Sequence, residues 1–424
     1  MKKKLIAAML ISGVLALAGN AVYAESEEVH SKTASAVSED AEPDVSGEAD
    51  EGPLSSLKWS DYAISIDGTV LKFPMLSSDF EALGFEAEDD MSTTLQPMQY
   101  SWFYFKKGDK RLSATIANFA NNTLPADECV VCGVTIDDYY WPADEGEILL
   151  PQGIIRGVST IEDVEAAYGE PSDIYEGDTY TKLTYETDIY EDLEMEFDLE
   201  TGTLGEIDIC KIAEPENFDA GEVSEEVPVL VSSYRKPESL SDKLGTYEIR
   251  VQDAVYDVPV PVSVLVADGW EISADKSDEF IPAKSSAWVT LQKGGKNFRS
   301  LARNFEDNAV TIDNGWITSI EVGLQSLDVD AELAGGVTIG MKAEDFEKLL
   351  EDAGLEYELN DEDDSFHYYN FAKEDWDQYI QVITYHNGST YPEDAVLTIS
   401  VDNSEIPGET EGGEAVESAA EEKG

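Results

Sequence analysis

Apolar and polar positions alternate over long stretches of this chain, and the dominant period is two. Ile64-Ser-Ile66 and Val70-Leu-Lys-Phe73 flank Asp67-Gly68, a strong two-residue hairpin signal. Tyr100 to Phe105 and Leu112 to Phe119 read as strands joined by Lys107-Gly-Asp-Lys110. Cys129 to Ile136, Tyr180 to Tyr185, Leu193 to Phe197 and Leu204 to Cys210 read as further strands, the last two joined by Glu200-Thr-Gly202. Helical spacing interrupts this pattern at two places. Ser78 to Gly84 predicts a short helix with a serine cap and a glycine stop, Phe80 and Leu83 sharing one side. The second lies within Gly153 to Pro171. There Ser159 or Thr160 serves as N-cap, and Glu162 and Asp163 complement the positive end of the helix dipole. Ile161, Val164 and Tyr168 recur on one face; Gly169 and Pro171 end the helix.

The pattern then repeats. Trp102-Phe-Tyr-Phe-Lys-Lys-Gly108 returns as Trp288-Val-Thr-Leu-Gln-Lys-Gly294, and Asn118-Phe-Ala-Asn-Asn122 as Asn304-Phe-Glu-Asp-Asn308. Leu83-Gly84-Phe85 matches Asp268-Gly269-Trp270, and Gly157 matches Gly340 after a three-residue deletion. The second helix copy keeps Gly340, Glu344, Asp345 and Gly354 but loses the Ser/Thr cap and the proline. The expectation is an α+β protein of two homologous domains, residues 57–212 and 244–403. Each is an antiparallel sheet with short helices packed on one face. Residues 213–243 read as a proline-bearing linker in which Val227 to Val231 offers a strand to either neighbour. Asp79 to Gly84 also resembles Asp163 to Gly169, which would divide each domain into two α-β-β-β units.

Residues 1–24 read as a secretory signal: Lys2, Lys3 and Lys4, the apolar run Leu5 to Ala18, and Val22-Tyr23-Ala24 before the cut. Secretion to the extracellular or cell-envelope space follows as an expectation, with cleavage near Ala24. No cysteine follows the cut to carry a lipid anchor, and no later stretch is apolar enough to span a membrane. Residues 25–56 and 404–424 are acidic and poor in apolar residues, and read as disordered spacers.

Charge narrows the partners. The chain has 90 acidic and 27 basic residues, for a net charge of −63. Such a surface repels nucleic acid and anionic lipid. It is compatible with basic proteins or peptides, with calcium and with neutral glycans. Acidity also simply keeps a secreted chain soluble.

Little else points to chemistry, and no cofactor is expected. Cys129-x-x-Cys132 lies in a strand, where residues three apart face opposite sides, so it suits neither a metal nor an easy bridge. A bridge from Cys210 to one of the pair stays open. No nucleophile elbow, zinc-protease motif or phosphate-binding loop occurs. His367 and His386 fall on neighbouring strands near Asp363 and Asp364. Calcium candidates are Asp137-Asp138, Asp144-Glu145 and Asn360 to Asp364. Tyr139-Tyr140-Trp141 precedes the capped helix, in a segment whose counterpart lacks aromatics. These three are the candidate binding residues, against the alternative that they cover the end of the sheet.

The pattern Gly157-Val-x-x-x-Glu162-Asp163-Val164 followed by Gly169-x-Pro171 resembles the repeat of the β-lactamase-inhibitor-protein family and of the SmpA/OmlA outer-membrane lipoproteins. The whole chain is also similar to secreted two-domain proteins of anaerobic gut Firmicutes. The resemblance implies helices opening onto an antiparallel sheet whose concave face binds a protein. The matching residues are structural, and no partner-contacting residue carries over. The expected function is therefore non-enzymatic binding of a protein or peptide, including enzyme inhibition. A glycan- or calcium-binding module is the alternative and a hydrolase the third reading.

Overall fold

The computed structural model describes residues 54–406, apart from 144–145, 217, 324–328, 364, 376–377 and 388–390. The signal segment and most of both acidic termini lie outside the described residues. Leu54 and Ile406, at the rims of those termini, pack inward: Leu54 is buried, and Ile406 lies against Val231, Phe305 and Trp316.

The first half contains twelve main strands and two helices. A hairpin of β1 (Ala63–Ile66) and β2 (Thr69–Lys72) turns at Asp67-Gly68, both at positive φ as a tight primed turn requires. Then come α1 (Ser77–Ala82), β3 (Glu86–Ala87), β4 (Tyr100–Lys107), β5 (Lys110–Ala117) and β6 (Val130–Ile136). A second short pair, β7 (Ile148–Leu150) and β8 (Ile154–Ile155), precedes α2 (Ile161–Tyr168). Four strands follow: β9 (Asp173–Glu176), β10 (Tyr180–Asp188), β11 (Glu191–Asp198) and β12 (Leu204–Lys211). The large sheet runs β9-β10-β11-β12-β6-β5-β4-β3, with Met75–Leu76 added alongside β6; the small sheet runs β8-β7-β1-β2. Both orders are symmetric about their centres. The repeating unit is thus β-β-α-β-β-β-β, longer than the α-β-β-β unit expected. In the second unit the added strands β7 and β8 are two or three residues long, too short to show a periodicity.

The second half begins after α3 (Val229–Ser233) and follows the same order. The strands β13 (Glu248–Val251) and β14 (Ala254–Asp257) precede α4 (Val262–Ala267). Then come β15 (Glu271–Ile272), β16 (Ser286–Lys293), β17 (Lys296–Arg303), β18 (Trp316–Ile317) and β19 (Ser319–Val322). The last unit holds β20 (Ala331–Leu333), β21 (Val337–Thr338), α5 (Ala343–Ala353), β22 (Tyr357–Asp363), β23 (Phe366–Asp375), β24 (Gln378–Tyr385) and β25 (Ala395–Asn403). Here the large sheet is parted between β18 and β19 into two five-stranded pieces. The architecture is therefore antiparallel sheets with few, short helices.

Alternation decides which side is core. Phe103, Phe105, Leu112, Ala114, Ile116, Leu193, Met195, Phe197, Ile207 and Ile209 all point inward and are buried. The helices cover that inner face. Thr160 caps α2 through the Asp163 N–H, Asp163 returns the bond to the Thr160 N–H, and Gly169 ends it at φ 85°. In α5, Phe346 packs edge-on against Tyr369, and the αL Gly354 ends the helix.

Helix α1 differs from expectation. Its N-cap is Leu76, without a side-chain bond, and Ser77 instead donates to the carbonyls of Ala126 and Cys129. Phe80 is buried, stacked on Phe85 at 4.3 Å and edge-on to Phe105 at 5.0 Å. Leu83 does not share that face: it is 38 % exposed, beyond the last helical turn. Phe80→Ala should therefore cost about 3–5 kcal/mol, as for large buried aromatics, and Leu83→Ala under about 1 kcal/mol. Urea unfolding midpoints check the pair, and equal losses would refute this orientation.

The two halves meet through their equivalent Asn loops. Asn118 Nδ2 donates to the Asn122 carbonyl and Asn304 Nδ2 to the Asn308 carbonyl, each at 2.8 Å. The loops then touch: the Ala309 N–H donates to Asn122 Oδ1 at 2.7 Å and the Thr123 N–H to the Asp307 carbonyl at 2.9 Å. The segment read as a linker is packed as well. Ser224 bridges to Val310, and Val227 to Val231 forms no strand. Pro228 caps α3 instead, Ser232 and Ser233 bond back into it, and Val231 packs on Phe305 and Trp316.

Candidate binding face

The outer face of the first large sheet carries the most distinctive side chains. On β4 the outward positions are Tyr100, Trp102 and Tyr104, while Phe103 and Phe105 point into the core. Trp102 is 64 % exposed in the middle of a strand. Tyr100 meets Trp102 at 5.9 Å and Tyr190 at 6.2 Å. Tyr104 meets Tyr140 at 6.2 Å, and Tyr140 meets Tyr139 at 4.7 Å. The Arg111 guanidinium sits between Tyr104 (3.7 Å) and Tyr140 (4.9 Å) and pairs with Glu88 at 2.7 Å.

Next to this aromatic row lies a floor of small residues. Register places Ser113 opposite Tyr104 and Thr115 opposite Trp102, then Thr135 beside Ser113 and Gly133 beside Thr115. One end of the floor is closed by Ala117, Val130 and Cys132 under Phe119, Ile212 and Phe218.

Beyond the floor lies a row of carboxylates. Asp208 pairs with Thr135 on one side and Glu194 on the other; Glu206 faces Glu196, and Asp192 faces Cys210. Like charges placed directly opposite one another on a sheet repel. Burial pushes the Glu206 carboxyl up to about 7, with Glu196, Asp137 and Asp208 adding to the effect. Burial likewise raises Asp192 to about 6, helped by Glu194 and Glu186. Asp208 also rises to about 6, against a bond from the Thr135 hydroxyl at 3.0 Å. Glu196 rises for the same first reason. Lys182 answers Glu194 at 2.8 Å, and the buried Arg156 is bonded to Asp138 at 2.6 Å and to the Gly205 carbonyl. The row therefore holds more negative charge than the chain itself neutralises.

The same sheet positions in the second half are different. Glu194–Asp208 is replaced by Gln381–Ser400, Glu196–Glu206 by Ile383–Thr398, and Asp192–Cys210 by Tyr379–Asp402. On this face the second half keeps Asp402 and, opposite Ser400, Glu321, whereas the directly facing carboxylate pairs Glu194–Asp208 and Glu196–Glu206 belong to the first half.

The residues singled out in the sequence divide here. Tyr139 (85 % exposed) and Tyr140 extend the aromatic row. Trp141 does not belong to it: the ring is fully buried, with Lys110 over it at 5.1 Å, and serves packing. Tyr100, Trp102 and Tyr104 were read only as strand residues. The signal was the alternation Tyr-x-Trp-x-Tyr against Phe-x-Phe, which becomes informative once the inner face is known. Gly157, Glu162, Asp163, Gly169 and Pro171 are confined to the helix and its entry, as are Gly340, Glu344, Asp345 and Gly354.

Other candidates lose their support. Asp137 Oδ1 accepts the N–H groups of Tyr139 and Tyr140, and Asp138 Oδ1 holds Arg156. Asp144, Glu145 and Asp364 lie outside the described residues. Among the described residues no group of three or more His, Cys, Asp or Glu could hold a metal ion. Cys129, Cys132 and Cys210 are free thiols, and burial pushes Cys129 and Cys132 up to about 12. His367 and His386 stack at 3.9 Å. His386 joins Asp394 at 3.0 Å and the Thr384 hydroxyl at 2.5 Å, the connectivity of a hydroxyl–imidazole–carboxylate triad. Thr384 is fully buried, however, and presents no nucleophile to a substrate. Among the described residues no helix is long and apolar enough to cross a membrane. No protein-family model, curated protein or solved structure matches the chain.

Proposed function

We propose that this is a secreted, non-enzymatic binding protein whose partner, a protein or peptide, lies on the outer face of the first large sheet. One observation carries the reading: Tyr100, Trp102 and Tyr104 stand exposed in a continuous row on one strand, β4, whose Phe103 and Phe105 are buried. Exposed aromatic patches of this kind mark interaction sites, and Trp and Tyr dominate their energetics. The repeated helix-then-sheet order supports the resemblance to β-lactamase-inhibitor and SmpA/OmlA repeats, and with it a duplication of one ancestral domain. Inhibition of an extracellular enzyme falls within this reading. The signal at residues 1–24 supports secretion.

Trp102→Ala tests the reading. The variant is expected to keep its melting temperature, because the ring is mostly in water. It should lose at least about tenfold in partner capture from culture supernatant, a typical hot-spot loss. Unchanged capture would remove the proposal. A second reading has the same support, because a tryptophan over a polar floor also stacks on a sugar ring. Glycan-array binding that disappears in Trp102→Ala would favour it.

A further inference from the structure

The two halves offer an internal comparison at the aromatic row. Trp102 on β4 and Trp288 on β16 hold the same place. Both strands are eight residues long and enter a two-residue turn. Their partners keep one register: Trp102 faces Thr115 and Tyr104 faces Ser113, while Trp288 faces Leu301 and Thr290 faces Arg299. Ser113 and Arg299 therefore occupy one position. In the second half the Arg299 guanidinium lies 4.1 Å from the Trp288 ring centre. In the first half serine leaves that space open, and among the described residues no cation lies over Trp102. The first half is also the one with the carboxylate row. Where the chain supplies its own arginine, the facing pair Glu194–Asp208 becomes Gln381–Ser400, with Glu321 on the other side of Ser400.

We infer that the partner on this face is a cationic segment whose arginine lies over Trp102, in the place Arg299 takes over Trp288, with a second cation at Glu194 and Asp208. This rests on the binding face proposed above and names the chemistry of its occupant. Charge complementarity selects the occupant: Lys182 answers Glu194 alone, and among the described residues Asp192, Glu206 and Asp208 have no ion-pair partner, so a guanidinium gains from the ring and from these carboxylates while a neutral sugar gains only from the ring. Geometry sets the spacing. From β4 to β12 there are three strand steps, about 14 Å. An extended chain crossing them repeats a face every second residue at about 3.4 Å per residue, so residues i and i+4 reach both rows. The pattern is Arg-x-x-x-Arg or Arg-x-x-x-Lys in an extended segment.

The probe is a blocked peptide with arginine at its first and fifth positions and serine elsewhere, titrated into the full chain by calorimetry. Peptides with glutamate at those positions, and a neutral oligosaccharide, are run beside it. The arginine peptide is expected to bind at least tenfold more tightly than either, and more weakly as salt rises. Ser113→Arg should fill the space with the chain's own side chain and weaken the peptide at least tenfold, with an unchanged circular dichroism spectrum. If Ser113→Arg does not fold, Glu194→Gln with Asp208→Asn should give the same loss. Arg299→Ser should leave the affinity unchanged, since it lies on the other half. Equal binding of arginine and glutamate peptides, or wild-type affinity in a folded Ser113→Arg, would overturn the inference. Failure of the wider reading is distinguishable. If Trp102→Ala loses its captured partner but no arginine peptide binds, the binding face stands and only the cationic occupant falls.

Discussion

Gly133→Ala is expected to destabilise the protein by about 3 kcal/mol or more, at the upper end of the overpacking range because the clash is with backbone. Gly133 lies in β6, where β5 and β12 pair on either side. A Cβ there would stand 2.1 Å from the Ile209 carbonyl oxygen and 2.7 Å from the Cys210 Cα. Both neighbours are main chain, so no rotamer change relieves the contact. The β6–β12 ladder would have to open at the centre of the sheet. A bulge between Thr115 and Ile116 already irregularises the other side of β6 and leaves little slack. Gly153→Ala is the control. Gly153 has φ 84° but no atom near its missing Cβ, so its cost is strain alone, about 1 kcal/mol. Urea midpoints for the two variants would decide. A Gly133→Ala protein as stable as Gly153→Ala would show that β6 and β12 are not packed as described.

Neutralising Asp192, Glu206 and Asp208 together should stabilise the protein at pH 8 and make little difference at pH 4. Folding raises these carboxyls to about 6, about 7 and about 6. Unfolded carboxylates titrate near pH 4, so between about pH 4 and 7 the native state binds more protons than the unfolded chain. Stability then falls as pH rises through that window. The penalty is complete above about pH 7 and absent below about pH 4. The groups are half-buried, so solvent screening reduces their joint effect to roughly 1–3 kcal/mol. The variant with Asp192→Asn, Glu206→Gln and Asp208→Asn should gain that amount at pH 8, and the gain should fade toward pH 4. Its difference from wild type isolates these groups from the general repulsion of an acidic chain. A gain that does not depend on pH would show that they are not strained. A pH-dependent gain would mean that the outer row lowers stability, as the proposed binding role would allow.

The hairpin at Asp67-Gly68 and the capped helix α2 were legible because their signals are local. A positive-φ turn needs particular residues at two positions, and Thr160, Asp163 and Gly169 satisfy groups within a few residues of themselves. The repeat was legible because Trp102 and Trp288, and Asn118 and Asn304, keep one order and spacing. The short strands β3, β7 and β8 were not legible, because two or three residues establish no period. Leu83 was misplaced for a related reason: the helix ends before its second apolar position completes a turn.

The sequence by itself determined that the chain is built of alternating strands, that a residue pattern recurs in one order, and that its net charge is −63. These follow from periodicity, spacing and summed charge, which need no knowledge of neighbours across the fold. Only the tertiary structure decided which face of each strand is core, since alternation is identical on both sides until the helices cover one of them. It buried Trp141, left Trp102 in water, and placed Ser113 where the other half places Arg299. It also set carboxylates from two neighbouring strands, β11 and β12, in one row beside the polar floor. The aromatic row on β4 and the carboxylates on β12 are about a hundred positions apart, and only strand pairing through β5 and β6 puts them on one face.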